Sequence, residues 1–298
     1  MKKMRIPLLI ALGVAIVGIV LGSFLDLQIS SAVASPKNYF ALTISAIGPT
    51  IGFAGVAAMG GGFVALSVHG KYHVALKVLF YILAACCFAV SIFYPGGEYF
   101  GINGFYHAAP KWVGYVIVLF PESAAMFGGY LLFKDCSNKN MWIVFCIVIG
   151  LLLISLLAVI PTIKDSMHRP RYRFISQFDK EKLFHSWWEP CKDYENLKTF
   201  YHQESDNFKS FPSGHAAEAS ILFVCFTFLP LADKKLEKIQ LPLFFGECGL
   251  VLLVALCRIL AAAHFLSDVS WGAAIPLTTL VIANEVVMRI KSLQAPAN

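Results

Sequence analysis

The chain has 298 residues, 58% of them hydrophobic and 14% charged, where a soluble globular domain carries about 25% charged residues. That balance excludes a soluble single domain and points to an integral membrane protein. The net charge of +6 comes without a basic stripe interleaved with aromatics, so no nucleic-acid partner is expected. The eight cysteines show no CxxC pair and no zinc spacing, so they read as small buried hydrophobes.

A membrane-spanning helix needs about 20 predominantly apolar residues. The first such run covers 6–25, behind Lys2, Lys3 and Arg5. Together with "AVAS" at 32–35 it has the outline of a cleavable signal, but the small-residue site lies well beyond the apolar run, so a retained anchor is expected. The second run, 42–68, is interrupted by Gly60, Gly61 and Gly62. Runs at 74–94, 112–133 and 141–163 follow, and after a long polar segment the chain turns apolar again at 214–231. The final stretch, 242–288, would be about 70 Å long as one helix, more than twice the ~30 Å of a bilayer's hydrocarbon core. It must fold back near Ala262–Phe265, which gives spans at 242–261 and 265–288. The sequence therefore predicts an all-α fold: a polytopic membrane bundle of about eight helices, with four N-terminal spans over 1–140 and a second unit over 141–298.

Basic residues orient the bundle. Lys2, Lys3, Arg5, Lys71, Lys134, Lys139, Lys234, Lys235, Lys238, Arg289 and Lys291 share one side under an eight-span count. That side is expected to be cytoplasmic, with both termini there. The short loops opposite hold only Lys37 and Lys111. Residues 164–211 break the pattern, with nine Lys/Arg and eight Asp/Glu on the outer face. A basic excess on that side calls for an anion. The aromatic stretch 174–194, with Trp187 and Trp188, fits either a lid dipping into the headgroup region or a small packed subdomain.

Three groups converge on that outer face. "KDSMHRPRY" carries Lys164 and Arg171 at the end of span five; "PSGH" places Ser213, Gly214 and His215 at the start of span six; "CRILAAAHFLSD" carries Arg258, His264 and Asp268 across the last fold-back. Lys164, Arg171 and Arg258 can surround a tetrahedral oxyanion, Arg with its planar fork of donors and Lys as a mobile point charge. A helix opening at Ser213–Gly214 adds free amides and a positive dipole end. His264 and Asp268 are four apart, so on a helix a carboxylate can orient an imidazole and leave its other nitrogen free to attack. His215 is then the second, acid/base histidine. His168, Arg169 and Glu218 are possible substrate contacts.

This pattern resembles the type 2 phosphatidic acid phosphatase superfamily, which includes bacterial acid phosphatases, glucose-6-phosphatase and vanadium haloperoxidases. Its signature is Lys-x6-Arg-Pro, then Pro-Ser-Gly-His, then Ser-Arg-x5-His-x3-Asp. Lys164, Arg171, Ser213, Gly214, His215, Arg258, His264 and Asp268 match in order and spacing; Tyr172 stands for the Pro and Cys257 for the Ser. The resemblance covers roughly 141–288 and does not account for the extra spans among 40–133. It implies a metal-independent reaction in which His264 attacks phosphorus, His215 protonates the leaving oxygen, and water then hydrolyses the phosphohistidine. The implied substrate is a lipid phosphate or diphosphate, with undecaprenyl diphosphate the first expectation and phosphatidic acid or phosphatidylglycerol phosphate behind it, in a bacterial plasma membrane. A phosphotransferase or soluble-ester phosphatase using the same site, or a non-catalytic lipid-binding or transport protein, are the alternatives.

Overall fold

Backbone N–H and C=O groups have no water to bond in hydrocarbon, so each apolar run closes its own hydrogen bonds as a helix. The computed structural model describes residues 2–101, 112–136, 140–231 and 233–290. The charge markers Lys111, Lys139 and Lys291 lie outside the described residues. Among the described residues eight helical rods are long and apolar enough to cross a bilayer, and the chain is an integral membrane protein. They begin with α1 (Lys2–Val33), α2 (Tyr39–His69), α3 (Val74–Gly101) and α4 (Trp112–Phe133). The fifth runs through α5 (Met141–Ile154), a π-helical turn at Ser155–Val159, and α6 (Ile160–Met167). Pro161 explains that turn: its ring collides with the carbonyl one turn back, and widening the helix relieves the clash.

Three short helices, α7 (Tyr172–Ile175), α8 (Lys180–Leu183) and α9 (Tyr194–Phe200), lie in the polar segment. The sixth rod joins α10 (Gly214–Ala219) and α11 (Phe223–Phe228) through 3-10 turns, and α12 (Gln240–Leu260) and α13 (Leu266–Arg289) complete the bundle. The turn between α12 and α13 falls at 261–265, where the length argument requires it. Large apolar side chains such as Phe24 (77% exposed) and Phe120 (81%) line the outside, as a lipid-facing surface demands.

The glycine run in the second span is not an interruption. α2 passes through it as one continuous helix at the centre of the bundle. A Cβ at Gly61 would overlap the carbonyl of Met126 in α4, and one at Gly129 of α4 would overlap the carbonyl of Ala58 in α2. The glycines are a crossing point where two backbones touch. Gly52, further along α2, meets the carbonyl of Glu218 in α10 the same way. α2 thus packs the extra helices α3 and α4 on one side and the "PSGH" helix on another.

The polar segment forms a packed subdomain. Phe174, Ile175, Leu183 and Phe208 bury against Ala262 and Phe265 of the α12–α13 turn. Trp187 rests on Phe211 and Trp271, and Trp188 stays 49% exposed. Of the two readings of this stretch, packing accounts for nearly all its aromatics. Gly52→Ala must push α2 off α10 and should destabilise the protein by about 1–3 kcal/mol. Gly249→Ala has open space at its Cβ and should leave stability unchanged or slightly raised. Thermal unfolding of both variants in detergent checks this.

Candidate active site

The ends of four rods and the turn 261–265 meet at one end of the bundle, where the first turn of α13 carries Asp268. α6 brings Lys164, α10 brings Ser213, Gly214 and His215, α12 brings Arg258, and the turn brings His264. His215 is buried within electrostatic reach of Arg258, His264, Lys164 and Arg171. Lys164 is in turn within reach of Arg171, Glu218 and Arg258, and its ammonium donates to the Lys209 carbonyl at 3.1 Å. The carbonyl of Arg258 accepts from the amides of Ala263 and His264, which ties the turn to the end of α12. The eight residues of the sequence pattern therefore share one region.

His264 is 1% exposed, and its Nδ1 lies 2.6 Å from the carbonyl oxygen of Ser210. A carbonyl only accepts, so Nδ1 carries the proton and Nε2 holds the lone pair. Nη1 of Arg171 sits 3.4 Å from that Nε2. Burial, followed by the charges of Arg171, Arg258 and Lys164, holds the imidazole well below its usual pKa, and so neutral at pH 7. The result is a desolvated imidazole with its free nitrogen facing a guanidinium.

This arrangement corrects the expected role of Asp268. α13 begins at Leu266, so His264 precedes the helix, and the ring and the carboxylate are neighbours without being hydrogen-bonded to each other. Nδ1 of His264 is 3.8 Å from Asp268, longer than its bond to Ser210. Asp268 instead accepts from the Ser210 hydroxyl at 2.5 Å and from the Phe265 amide at 2.8 Å. It orients the imidazole indirectly, by fixing the loop whose carbonyl holds it.

Arg169 is likewise not a substrate contact. It is fully buried, donating to Asp268 at 2.5 Å, to Asp26 of α1 at 2.9 Å, to the Ser267 hydroxyl at 2.9 Å and to the His185 carbonyl at 2.8 Å. His168 caps α6 in a left-handed conformation and stacks on Tyr194 at 4.0 Å, which places its ring in the subdomain's packing. Glu218 is buried one turn into α10, with a carboxylate oxygen 3.1 Å from where a Gly214 Cβ would sit, and it stays beside the site.

Ser213 caps α10, its hydroxyl accepting from the Ala216 amide at 3.4 Å, while its own amide donates to the Asp268 carbonyl at 2.9 Å. Gly272 of α13 makes room for this: a Cβ there would overlap the Ser213 carbonyl. Three contributors were not singled out by sequence reasoning: Asp26, Ser210 and Asp206. Asp206 receives Nη2 of Arg171 at 2.9 Å and Nη2 of Arg173 at 2.5 Å, and its backbone carbonyl receives Nε of Arg171 at 2.7 Å. Partial desolvation works to raise the carboxyl of Asp206, which is still half exposed, but the surrounding cations, Arg171 and Arg173 foremost, hold it below the usual range. Among the described residues no group of three or more His, Cys, Asp or Glu is arranged to hold a metal ion.

Asp268→Ala leaves the Ser210 hydroxyl and the Phe265 amide without their buried acceptor and removes one of two anions on Arg169. It should destabilise the fold by on the order of 3 kcal/mol. A carboxylate serving only to orient His264 would leave the melting temperature where it is.

No curated protein and no solved structure matches the chain. A sequence model of the PAP2 superfamily matches residues 139–291, just over half of the chain and every position from Lys164 to Asp268. With that match and the convergence of those positions at one end of the bundle, the chain belongs to the PAP2 superfamily.

Proposed function

We propose that this protein hydrolyses a lipid phosphate or diphosphate through a phosphohistidine on His264. Membership of the superfamily indicates phosphatase activity in general. The observation that carries the finer reading is the state of His264: Nδ1 tied to the Ser210 carbonyl, Nε2 unprotonated and facing Arg171. Nε2 attacks phosphorus in line with the leaving oxygen. Lys164, Arg171 and Arg258 take the charge on the equatorial oxygens, helped by the Ser213 hydroxyl and the first-turn amides at Gly214. His215 gives its proton to the leaving oxygen, then takes one from the water that cleaves the P–N bond and regenerates neutral His264.

A lipid substrate is supported by an apolar cavity of about 340 Å³ between α1, α12 and α13. Ile259 and Leu266 line it, next in sequence to Arg258 and close after His264. It has room for part of a hydrocarbon chain whose headgroup reaches the cations. Undecaprenyl diphosphate is our first choice of substrate. The outer face of a bacterial plasma membrane is our choice of setting, because Lys71, Lys134, Lys234, Lys235, Lys238 and Arg289 gather at the other end of the bundle.

A purified-protein panel of lipid phosphates, lipid diphosphates and soluble esters tests this, with His264→Ala as control. Phosphate release from the preferred lipid should fall by on the order of 10³-fold or more in the variant. An acid-labile, base-stable phosphoenzyme should be trapped only in the parent. Undiminished release by His264→Ala would end the proposal. Since the nucleophile must be unprotonated and its pKa is depressed, the acid limb of kcat/KM should lie below the ~6.5 of an ordinary histidine. An acid limb above that value contradicts the assignment.

A further inference from the structure

The segment that matches the superfamily begins at 139, yet the support of His264 does not close within it. It closes on α1. Resting on the phosphatase reading above, we propose that Asp26 is a positioning residue for phosphoryl transfer, acting on His264 through Arg169 and Asp268.

Two routes lead from Asp26 to the imidazole. The first passes through side chains. Nη2 of Arg169 donates to Oδ2 of Asp26 at 2.9 Å and Nη1 donates to Oδ1 of Asp268 at 2.5 Å. The Ser210 hydroxyl donates to Oδ2 of Asp268 at 2.5 Å, and the Ser210 carbonyl receives Nδ1–H of His264 at 2.6 Å. The second passes through backbone. The Ser267 amide, in the first turn of α13 where no intrahelical acceptor exists, donates to Oδ1 of Asp26 at 2.9 Å. The Ser267 hydroxyl also donates to Asp26. Ser267 stands three residues after His264, so Asp26 fixes the start of the helix that follows the nucleophile.

The stoichiometry explains why Asp26 is needed. A guanidinium is planar, and each edge of this one has its own acceptor: the His185 carbonyl on Nε, Asp268 and Ser267 on Nη1, Asp26 on Nη2. Without Asp26, the fork loses the contact that fixes its rotation, and Asp268 turns with it. Both carboxylate oxygens of Asp26 are engaged, by Arg169 and by the amide and hydroxyl of Ser267, which confines it to holding other groups. The approach of α1 is built for this contact, because a Cβ at Gly22 would overlap the Ser267 amide. One turn earlier, Ser23 accepts from Nε1 of Trp187 at 2.9 Å and keeps the same helix face against the subdomain.

The test is steady-state kinetics on the full-length protein in detergent with the lipid substrate selected by the panel. Asp26→Asn should lower kcat by ~10- to 100-fold, the range that a small displacement of reacting groups produces, with KM within about twofold. Asn keeps an oxygen that can accept from the Ser267 amide, so Asp26→Asn spares the backbone route and cuts the one through Arg169; in an Arg169→Met background the same substitution should therefore have little further effect. Ser31→Ala removes the α1 contact to the Tyr172 hydroxyl without touching this chain and should keep full kcat. Full kcat in a folded Asp26→Asn overturns the proposal, as does an effect that multiplies with that of Arg169→Met. If Asp26→Asn does not fold, Asp26→Glu keeps the charge and displaces the carboxylate; its kcat should still fall at constant KM, and full kcat there is equally fatal. Undiminished activity in His264→Ala would instead bring down the phosphohistidine reading on which this inference rests.

Discussion

Arg169 carries a positive charge at zero exposure, and the end of the bundle is organised around neutralising it. Burying an ion costs several kcal/mol even after relaxation, and only close opposite charges with complete hydrogen bonding offset that. Here two carboxylates from helices at opposite ends of the chain, a serine hydroxyl and a backbone carbonyl share the guanidinium. The aromatic faces of Phe265 and Phe184 close over it at 4.4 and 5.4 Å. The polar subdomain, α1 and α13 cannot separate without exposing this arrangement. His264, held by the same loop, has its place because Arg169 has its own.

A second set of charges has a different task. Lys164, Arg171 and Arg258 face the two histidines, and their like charges gather where an anion would balance them. Asp206 does not cancel this. It holds Nε and Nη2 of Arg171 from behind, while Nη1 donates to the Ala263 carbonyl at 3.1 Å and faces His264, so the fork is oriented before anything binds. The basic residues of 164–211 thus include a buried structural cation, Arg169, two site cations, Lys164 and Arg171, the latter sharing Asp206 with Arg173, and surface lysines paired with acids, such as Lys198 with Glu195 and Lys209 with Asp165.

Much of this was legible in the sequence because the signals are local. Hydropathy locates the spans, and the excessive length of the last apolar stretch forces its fold-back. Order and spacing of the Lys, Arg, Ser, His and Asp positions point to one convergence. What escaped depends on groups far apart. Arg169 reads as a phosphate contact because Arg171 is its neighbour, while its partner Asp26 lies 143 residues away and just past the predicted end of the first span. The His264–Asp268 spacing implies a shared helix face, but the helix starts two residues after the histidine. Gly60 to Gly62 read as a break because a glycine's meaning depends on what packs against it, here the backbone of α4.

α1 is held at both ends. Near its start Lys3 pairs with Glu237 at 2.8 Å and Arg5 with Glu285 at 2.9 Å; near its finish Asp26 pairs with Arg169. From residue 5 to residue 26 a helix rises about 31 Å, the thickness of a typical hydrocarbon core. A helix fastened at two depths works as a ruler. Sliding along its axis would break one set of pairs, so a thinner or thicker membrane is met by tilt or by the surrounding lipid stretching or compressing.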